Sequence, residues 1–184
     1  MDRDIELVVA PVGMTPGGYV ARAHADHSTP RTPRATLHVE SAGGAWQVVV
    51  RWDCAQPVLN IDGDPTRFVD GVALLVPGTD DAPWLTMGAP EHPVEGVLWQ
   101  ANREHPFRVR ATGLGSVERG AAPEDWRTEA SWADGQWTVR FRLTGWAALD
   151  HSRRLAVAVW QGKAAERASL KSVSPGWIDV AEAA

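Results

Sequence analysis

Glu129-Ala130-Ser131-Trp132-Ala133-Asp134-Gly135-Gln136-Trp137-Thr138-Val139-Arg140-Phe141-Arg142-Leu143 is the stretch that decides the fold class. Its second half alternates Trp137, Val139, Phe141 and Leu143 with Thr138, Arg140 and Arg142. That period of two belongs to a strand with one face in a core and the other in water. Asp134-Gly135 suits a two-residue hairpin turn, in which both positions take a positive φ, so Glu129–Ala133 is expected to pair antiparallel with this strand. Working outward, further strands are predicted at Ile5–Val12, Gly18–Ala23, Ala35–Glu40, Trp46–Asp53, Phe68–Val76, Val94–Ala101, Phe107–Ala111, Arg154–Trp160 and Trp177–Val180. Turns rich in Pro and Gly separate them. Helical periodicity is nearly absent, with Ala164–Leu170 and Pro123–Trp126 as candidates for a turn or two. The expectation is an all-β, antiparallel β-sandwich with a few short helical turns.

The chain has 184 residues with no repeat, heptad or Gly/Ser linker, so a single domain spanning 1–184 is expected. Hydrophobic residues at 44% and charged residues at 22% exclude wholesale disorder. A net charge of -5 gives no reason to bind nucleic acid or an anionic membrane surface. Cys54 is the only cysteine, which excludes an intrachain disulfide, a thiolate zinc cluster and a Cys-x-x-Cys-His haem attachment. The opening Met1-Asp2-Arg3-Asp4-Ile5-Glu6 is acidic where a signal peptide is basic, and no apolar stretch approaches membrane-spanning length. As written the chain is expected to be cytoplasmic, with the periplasm as the alternative for a processed form.

Ten tryptophans stand against three Phe and one Tyr, a load that calls for a packing or ligand-facing explanation. Of 18 basic residues only Lys163 and Lys171 are lysine. Met87 offers a soft thioether beside the small Gly88, although from residue type alone a methionine is more often a core gap-filler. Lys171 is able to ligate a metal only as a neutral amine in a desolvated site, and lysines are usually surface charges. His92, between Glu91 and Pro93, is a rival ligand near Met87. Asp62-Gly63-Asp64 reads as a turn, because the twelve-residue calcium loop is missing. Ser152 beside His151 lacks a nucleophile elbow, and no Gly-rich phosphate loop follows a strand.

Six segments carry a resemblance. They are Phe68-Val69-Asp70-Gly71-Val72-Ala73-Leu74, Pro83-Trp84-Leu85-Thr86-Met87-Gly88, and Pro93-Val94 followed by Trp99. Downstream come Asp134-Gly135-Gln136-Trp137-Thr138-Val139-Arg140-Phe141, Ala156-Val157-Ala158-Val159-Trp160-Gln161-Gly162 and Lys171-Ser172-Val173-Ser174-Pro175-Gly176-Trp177. In this order, over about residues 45–180, they resemble the haem-binding gamma subunits of ethylbenzene dehydrogenase, dimethyl sulfide dehydrogenase, chlorate reductase and selenate reductase.

The resemblance implies a sandwich of immunoglobulin-like or DOMON-like type holding a non-covalent haem b. It puts the axial ligands on Met87 and Lys171, with Trp84, Gly88, Trp99, Ser172, Ser174 and Trp177 around the haem. It also implies an electron-transfer subunit rather than a catalytic chain, partnered by an iron-sulfur beta subunit and a molybdenum catalytic alpha subunit. Two protein ligands leave no open iron position, which favours outer-sphere electron transfer over oxygen chemistry. One segment departs from the pattern: Val94–Ala101 keeps Trp99 as its only aromatic and inserts Gly96. The alternative is a Trp-rich carbohydrate-binding sandwich, and a third reading is a scaffold that has lost its cofactor. The position of the tryptophans separates the first two, since a sugar platform needs exposed rings.

Overall fold

The computed structural model describes residues 2–11, 28–64 and 66–180. The strand expected at Gly18–Ala23 lies outside the described residues. Two antiparallel sheets face each other. The first contains β1 (Asp2–Glu6), β3 (Arg34–Ala42), β4 (Ala45–Asp53), β9 (Arg127–Ala133) and β10 (Gln136–Thr144), in the order β1-β3-β4-β10-β9. The second contains β2 (Val8–Val9), β5 (Gly71–Pro77), β6 (Val94–Gln100), β7 (Phe107–Ala111), β8 (Glu118–Ala121), β11 (Arg154–Trp160) and β12 (Ser172–Val173). Its order is β2-β12-β11-β5-β6-β7-β8, and β13 (Ile178–Asp179) pairs with the far end of β11.

The deciding stretch behaves as its pattern dictates. Trp137, Val139, Phe141 and Leu143 are buried, and in register they lie opposite Trp52, Val50, Val48 and Trp46 of β4. Asp134 and Gly135 both adopt positive φ, 51° and 77°, which matches the right-handed twist of the strands they join. Gly43 and Gly44 do the same between β3 and β4, at 60° and 75°.

Across the interface, Val72, Leu74 and Val76 of β5, Val97 and Trp99 of β6, and Leu155, Val157 and Val159 of β11 complete the shared core. Trp137 stacks on Trp52 at 6.2 Å between ring centroids and meets Trp99 edge-on at 5.1 Å.

A polar junction locks the second sheet to this core. Asp70, fully buried, accepts hydrogen bonds from Val58 N at 2.9 Å, Trp137 Nε1 at 2.9 Å and Gly162 N at 2.7 Å. The Cys54 thiol lies 3.6 Å from the same carboxylate. Burial, with the Asp70 charge adding to it, pushes that thiol up to about 12, so Cys54 is an inert thiol.

Several local expectations shift. The Phe68–Val76 strand begins at Gly71, because Phe68–Asp70 is the approach to the junction. In place of a helical turn over Ala164–Leu170, a 3-10 turn occupies Gly162–Ala164, followed by a tight Arg167–Leu170 bridge. Pro123–Trp126 is a turn closed by Trp126 N to Pro123 O at 3.0 Å. A short helix, α1 (Ala147–Ser152), and the strands β8 and β12 were not expected. The helix buries Leu149 alone, too little for a periodic signal. β8 pairs with the adjacent β7 but buries none of its four residues, so it shows no alternation, and β12 is only two residues held between β11 and the remote β2.

Candidate functional site

The outer face of the second sheet is built from small side chains. β5 turns Val72, Leu74 and Val76 inward and Ala73 and Leu75 outward, while β11 turns Leu155, Val157 and Val159 inward and Ala156 and Ala158 outward. On β6, Gly96 lies outward opposite Leu75, and a Cβ there would come within 2.6 Å of Leu75 Cδ2 and 2.7 Å of Leu74 O. The glycine inserted into Val94–Ala101 is therefore the space that Leu75 needs. All of β5 is buried, so this outer face is covered rather than wetted.

Between the sheet and the loops above it is a cavity of about 280 Å³. Ala73, Leu75, Leu98 and Val109 form its floor, and Leu114 and Val117 stand at its mouth, exposed although apolar. Met87 and Lys171 both line it, together with Trp160, Ser169 and Arg119.

Met87 is held by its backbone. Its φ is 57°, its N–H donates to Trp84 O at 3.1 Å, and its carbonyl accepts from Gly113 N at 3.1 Å. Gly88 follows at φ 89°, where a Cβ would come within 2.8 Å of His92 O and 2.9 Å of Ala111 O. Only glycine fits between those two carbonyls, so the turn presents Met87 in one way. The Met87 side chain packs beside Leu75, Ala82, Val94 and Ala156.

Lys171 is set by the bridge between Arg167 and Leu170 and by its own carbonyl, which accepts from Ala10 N at 3.0 Å. Its Nζ lies 5.2 Å from the centroid of the Trp160 ring. Burial holds the amine down to about 8, and the Arg119 guanidinium acts in the same direction. The surface that Lys171 still exposes belongs in part to the cavity wall, so partial accessibility and a desolvated amine are compatible. Lys163, by contrast, is exposed.

The other expected site residues divide. Trp84 and Trp177 are half-buried beside Met87, and Trp177 Nε1 donates to Ala82 O at 3.3 Å. Gly88 supports Met87 without facing the cavity. Trp99, Ser172 and Ser174 are not brought to it. Trp99 belongs to the shared core on the opposite face of β6. Ser172 Oγ accepts from Thr32 N at 3.0 Å, whereas Ser174 Oγ accepts from Val157 N at 3.1 Å and donates to Gly176 O at 2.9 Å. Both serines fasten chain segments to β11 or its neighbours. His92 pairs its Nδ1 with Thr79 Oγ1 at 2.9 Å and does not line the cavity.

Arg119 and Trp160 were missed. Trp160 closes the alternating run Ala156–Trp160, where outward alanines beside a tryptophan were the available signal; for Arg119 the sequence held none. Among the described residues no group of three or more His, Cys, Asp or Glu is placed to hold a metal. Asp64 instead accepts from Thr66 N at 2.8 Å within a turn.

Glu166 lies close by, 2% exposed, and its Oε2 accepts from Gln161 N at 2.8 Å. Burial pushes its carboxyl from 4.5 to about 7. The folded chain therefore retains a proton that the unfolded chain releases, and the stability this confers is lost as pH rises from 4.5 through about 7. Glu166→Gln should flatten that slope. Urea unfolding of both proteins at several pH values is the check, with a relative gain for the variant on the order of 3 kcal/mol at neutral pH. An identical pH dependence in the two proteins would refute it.

Six of the ten tryptophans, Trp46, Trp52, Trp99, Trp126, Trp137 and Trp146, are buried. Trp84, Trp160 and Trp177 pack half-buried around the cavity face, and Trp132 alone is exposed. A row of exposed rings for sugars is not formed. No described helix is long and apolar enough to cross a membrane.

No family profile matches the sequence. A proposed respiratory nitrate reductase heme subunit, ORF7 of Haloferax mediterranei, is 34% identical over 154 residues, covering 76% of this chain and 53% of that protein. The dimethylsulfide dehydrogenase subunit gamma of Rhodovulum sulfidophilum is 29% identical over 161 residues, covering 79% of this chain and 60% of that protein. The chain thus spans little more than half the length of these curated relatives. Among solved structures, a carbohydrate binding module of family 9 from Caldicellulosiruptor kristjanssonii in complex with glucose aligns over 80% of this chain and 68% of that one. Its TM-score is 0.43 at 14% identity, a likeness too slight to bear on function. Its sequence segments and these two relatives together support the haem-binding gamma-subunit family for this chain.

Proposed function

We propose that this domain holds one non-covalent haem b on the outer face of its second sheet, with Met87 and Lys171 as axial ligands. It relays single electrons to or from an iron-sulfur subunit beside a molybdenum catalytic subunit. One observation carries the ligand assignment. Met87 and Lys171, from opposite halves of the chain, line the same apolar cavity. The two relatives named as a heme subunit and as a gamma subunit support the relay and its partners.

The donor set fits the group. A thioether and an amine already held toward neutrality are both usable iron ligands, and neither leaves an uncompensated charge in the cavity when it binds. Haem, when bound, supplies a reversible one-electron couple at its iron. Met87 contributes a soft sulfur that favours the ferrous state. Lys171 contributes its lone pair, and the proton it must lose is easier to release because the site is desolvated. Ala73, Leu98 and Val109 keep water from the floor. Met87 and Lys171 together would hold the group, and with two protein donors engaged no position would be left for competing small ligands.

The test starts with the visible spectrum of protein from haem-replete cells. A Soret band and a low-spin, six-coordinate ferrous spectrum are expected. Lys171→Ala should bind carbon monoxide in the ferrous state where the parent does not. Lys163→Ala should be spectroscopically silent, and Met87→Ala should lower the reduction potential. Parent protein that takes up no haem, or that binds carbon monoxide as readily as Lys171→Ala, would sink the reading.

A further inference from the structure

A second pocket, of about 360 Å³, adjoins the apolar cavity and shares Leu98, Arg119, Trp160 and Ala168 with it. The two differ in chemistry. The wall of the second pocket carries Arg67, Arg103, Arg119 and Arg167, with the amides Gln100 and Asn102 between them. Four guanidiniums around one opening are out of keeping with a chain of net charge -5.

Internal acids do not account for them. Arg67 forms an exposed pair with Asp62 at 3.4 Å, whereas Arg103, Arg119 and Arg167 take part in no ion pair among the described residues. Arg103 lies over the Phe107 ring at 5.8 Å, and Arg167 lies over Phe68 at 4.9 Å while one of its nitrogens donates to Ala165 O. Stacking on an aromatic face fixes a guanidinium plane and leaves edge N–H groups to bind an acceptor. Glu166 is the one acid in the wall, and its Oε2 is directed at the Gln161 amide.

We propose that this arginine-lined pocket is a carboxylate-binding subsite continuous with the apolar cavity, built for a flat apolar ligand that carries acid groups along one edge. The inference rests on the haem reading and adds an orientation to it. The two propionates point toward Arg103 and Arg119, and the apolar edge lies over Ala73 and Leu75. Arg119 borders both spaces and marks the boundary between the buried ring and its charged edge.

The experiment compares equilibrium binding of haem and of haem dimethyl ester, which keeps the ring and the iron but lacks the free carboxylates. Tryptophan quenching and the Soret band are read for the parent, for the double variant Arg103→Gln/Arg119→Gln, and for Arg140→Gln on the opposite sheet as a control. The parent should prefer haem by on the order of tenfold, as expected for a charged hydrogen bond to carboxylate. The double variant should lose most of that preference, and Arg140→Gln should keep it. Equal affinity of the parent for haem and its ester would overturn the subsite and leave the haem reading standing, as would a preference that survives in the double variant. Binding of neither compound would overturn both. Because the readout is a ratio within each protein, a general loss of stability cannot mimic the expected result.

Discussion

Asp70→Ala is expected to lower the unfolding free energy by about 3–5 kcal/mol, because each buried donor left without its acceptor costs roughly 1–3 kcal/mol and the partial relaxation of a site limits the sum. The carboxylate is fully buried and accepts from Val58 N, Trp137 Nε1 and Gly162 N. These donors come from the loop before β5, from β10 of the first sheet and from the segment after β11. Removing the carboxylate disconnects three parts of the chain at once. Asp70→Asn is the sharper variant, since it keeps the volume and one oxygen while putting an N–H₂ group where acceptors were needed. Urea unfolding followed by tryptophan fluorescence measures both. A loss of less than about 1 kcal/mol for the alanine variant, the worth of one ordinary hydrogen bond, would show that the junction is not what holds the sheets together.

Gly162→Ala should be at least as damaging, by about 3 kcal/mol or more, in the range reserved for forced backbone displacement. A Cβ on Gly162 would overlap Phe68 O and lie 2.7 Å from Phe68 C and 3.0 Å from Val69 C. All three are backbone atoms, so no rotamer change relieves the overlap. The strand approach at Phe68–Asp70 and the turn after β11 would have to separate, and the Gly162 N to Asp70 hydrogen bond would be lost with them. The two substitutions therefore strike one junction, and the double variant should cost less than the sum of the single ones. Strict additivity would mean that the two residues act independently. Because Asp70 precedes the β5 residues Ala73 and Leu75, and Gly162 follows Trp160, weakening this junction should also loosen the cavity floor.

What could be read in advance follows from the range of the interactions involved. Alternation in Trp137–Leu143, the Asp134-Gly135 turn and the short turn-bounded strands are local signals. Each acts within a few residues, so the antiparallel sandwich was legible from them. Segment order linked Phe68–Leu74, Pro83–Gly88 and Lys171–Trp177 to a family, and with it nominated Met87 and Lys171. The same reasoning nominated Trp99, Ser172 and Ser174, which the structure turns toward the core or uses to fasten neighbouring segments.

A strand pattern states that alternate residues part company, but where both faces are buried, as on β5, it does not state which face is which. Leu98 rather than Trp99 lines the cavity for that reason. α1, β8 and β12 were invisible because each is short and without a buried periodic face: α1 buries Leu149 alone, β8 buries nothing, and β12 is two residues held between β11 and β2. Arg119 was invisible because one arginine among sixteen carries no mark of its place.

The sequence by itself determined the class of fold, a family resemblance and two candidate ligands, since these depend on periodicity, turn chemistry and residue order. Only the tertiary structure decided that Met87 and Lys171 share one apolar cavity, that Asp70 and Gly162 form the junction beneath it, and that arginines gather at its edge. Burial, desolvation and charge proximity arise when distant segments are packed together, and no local pattern contains them.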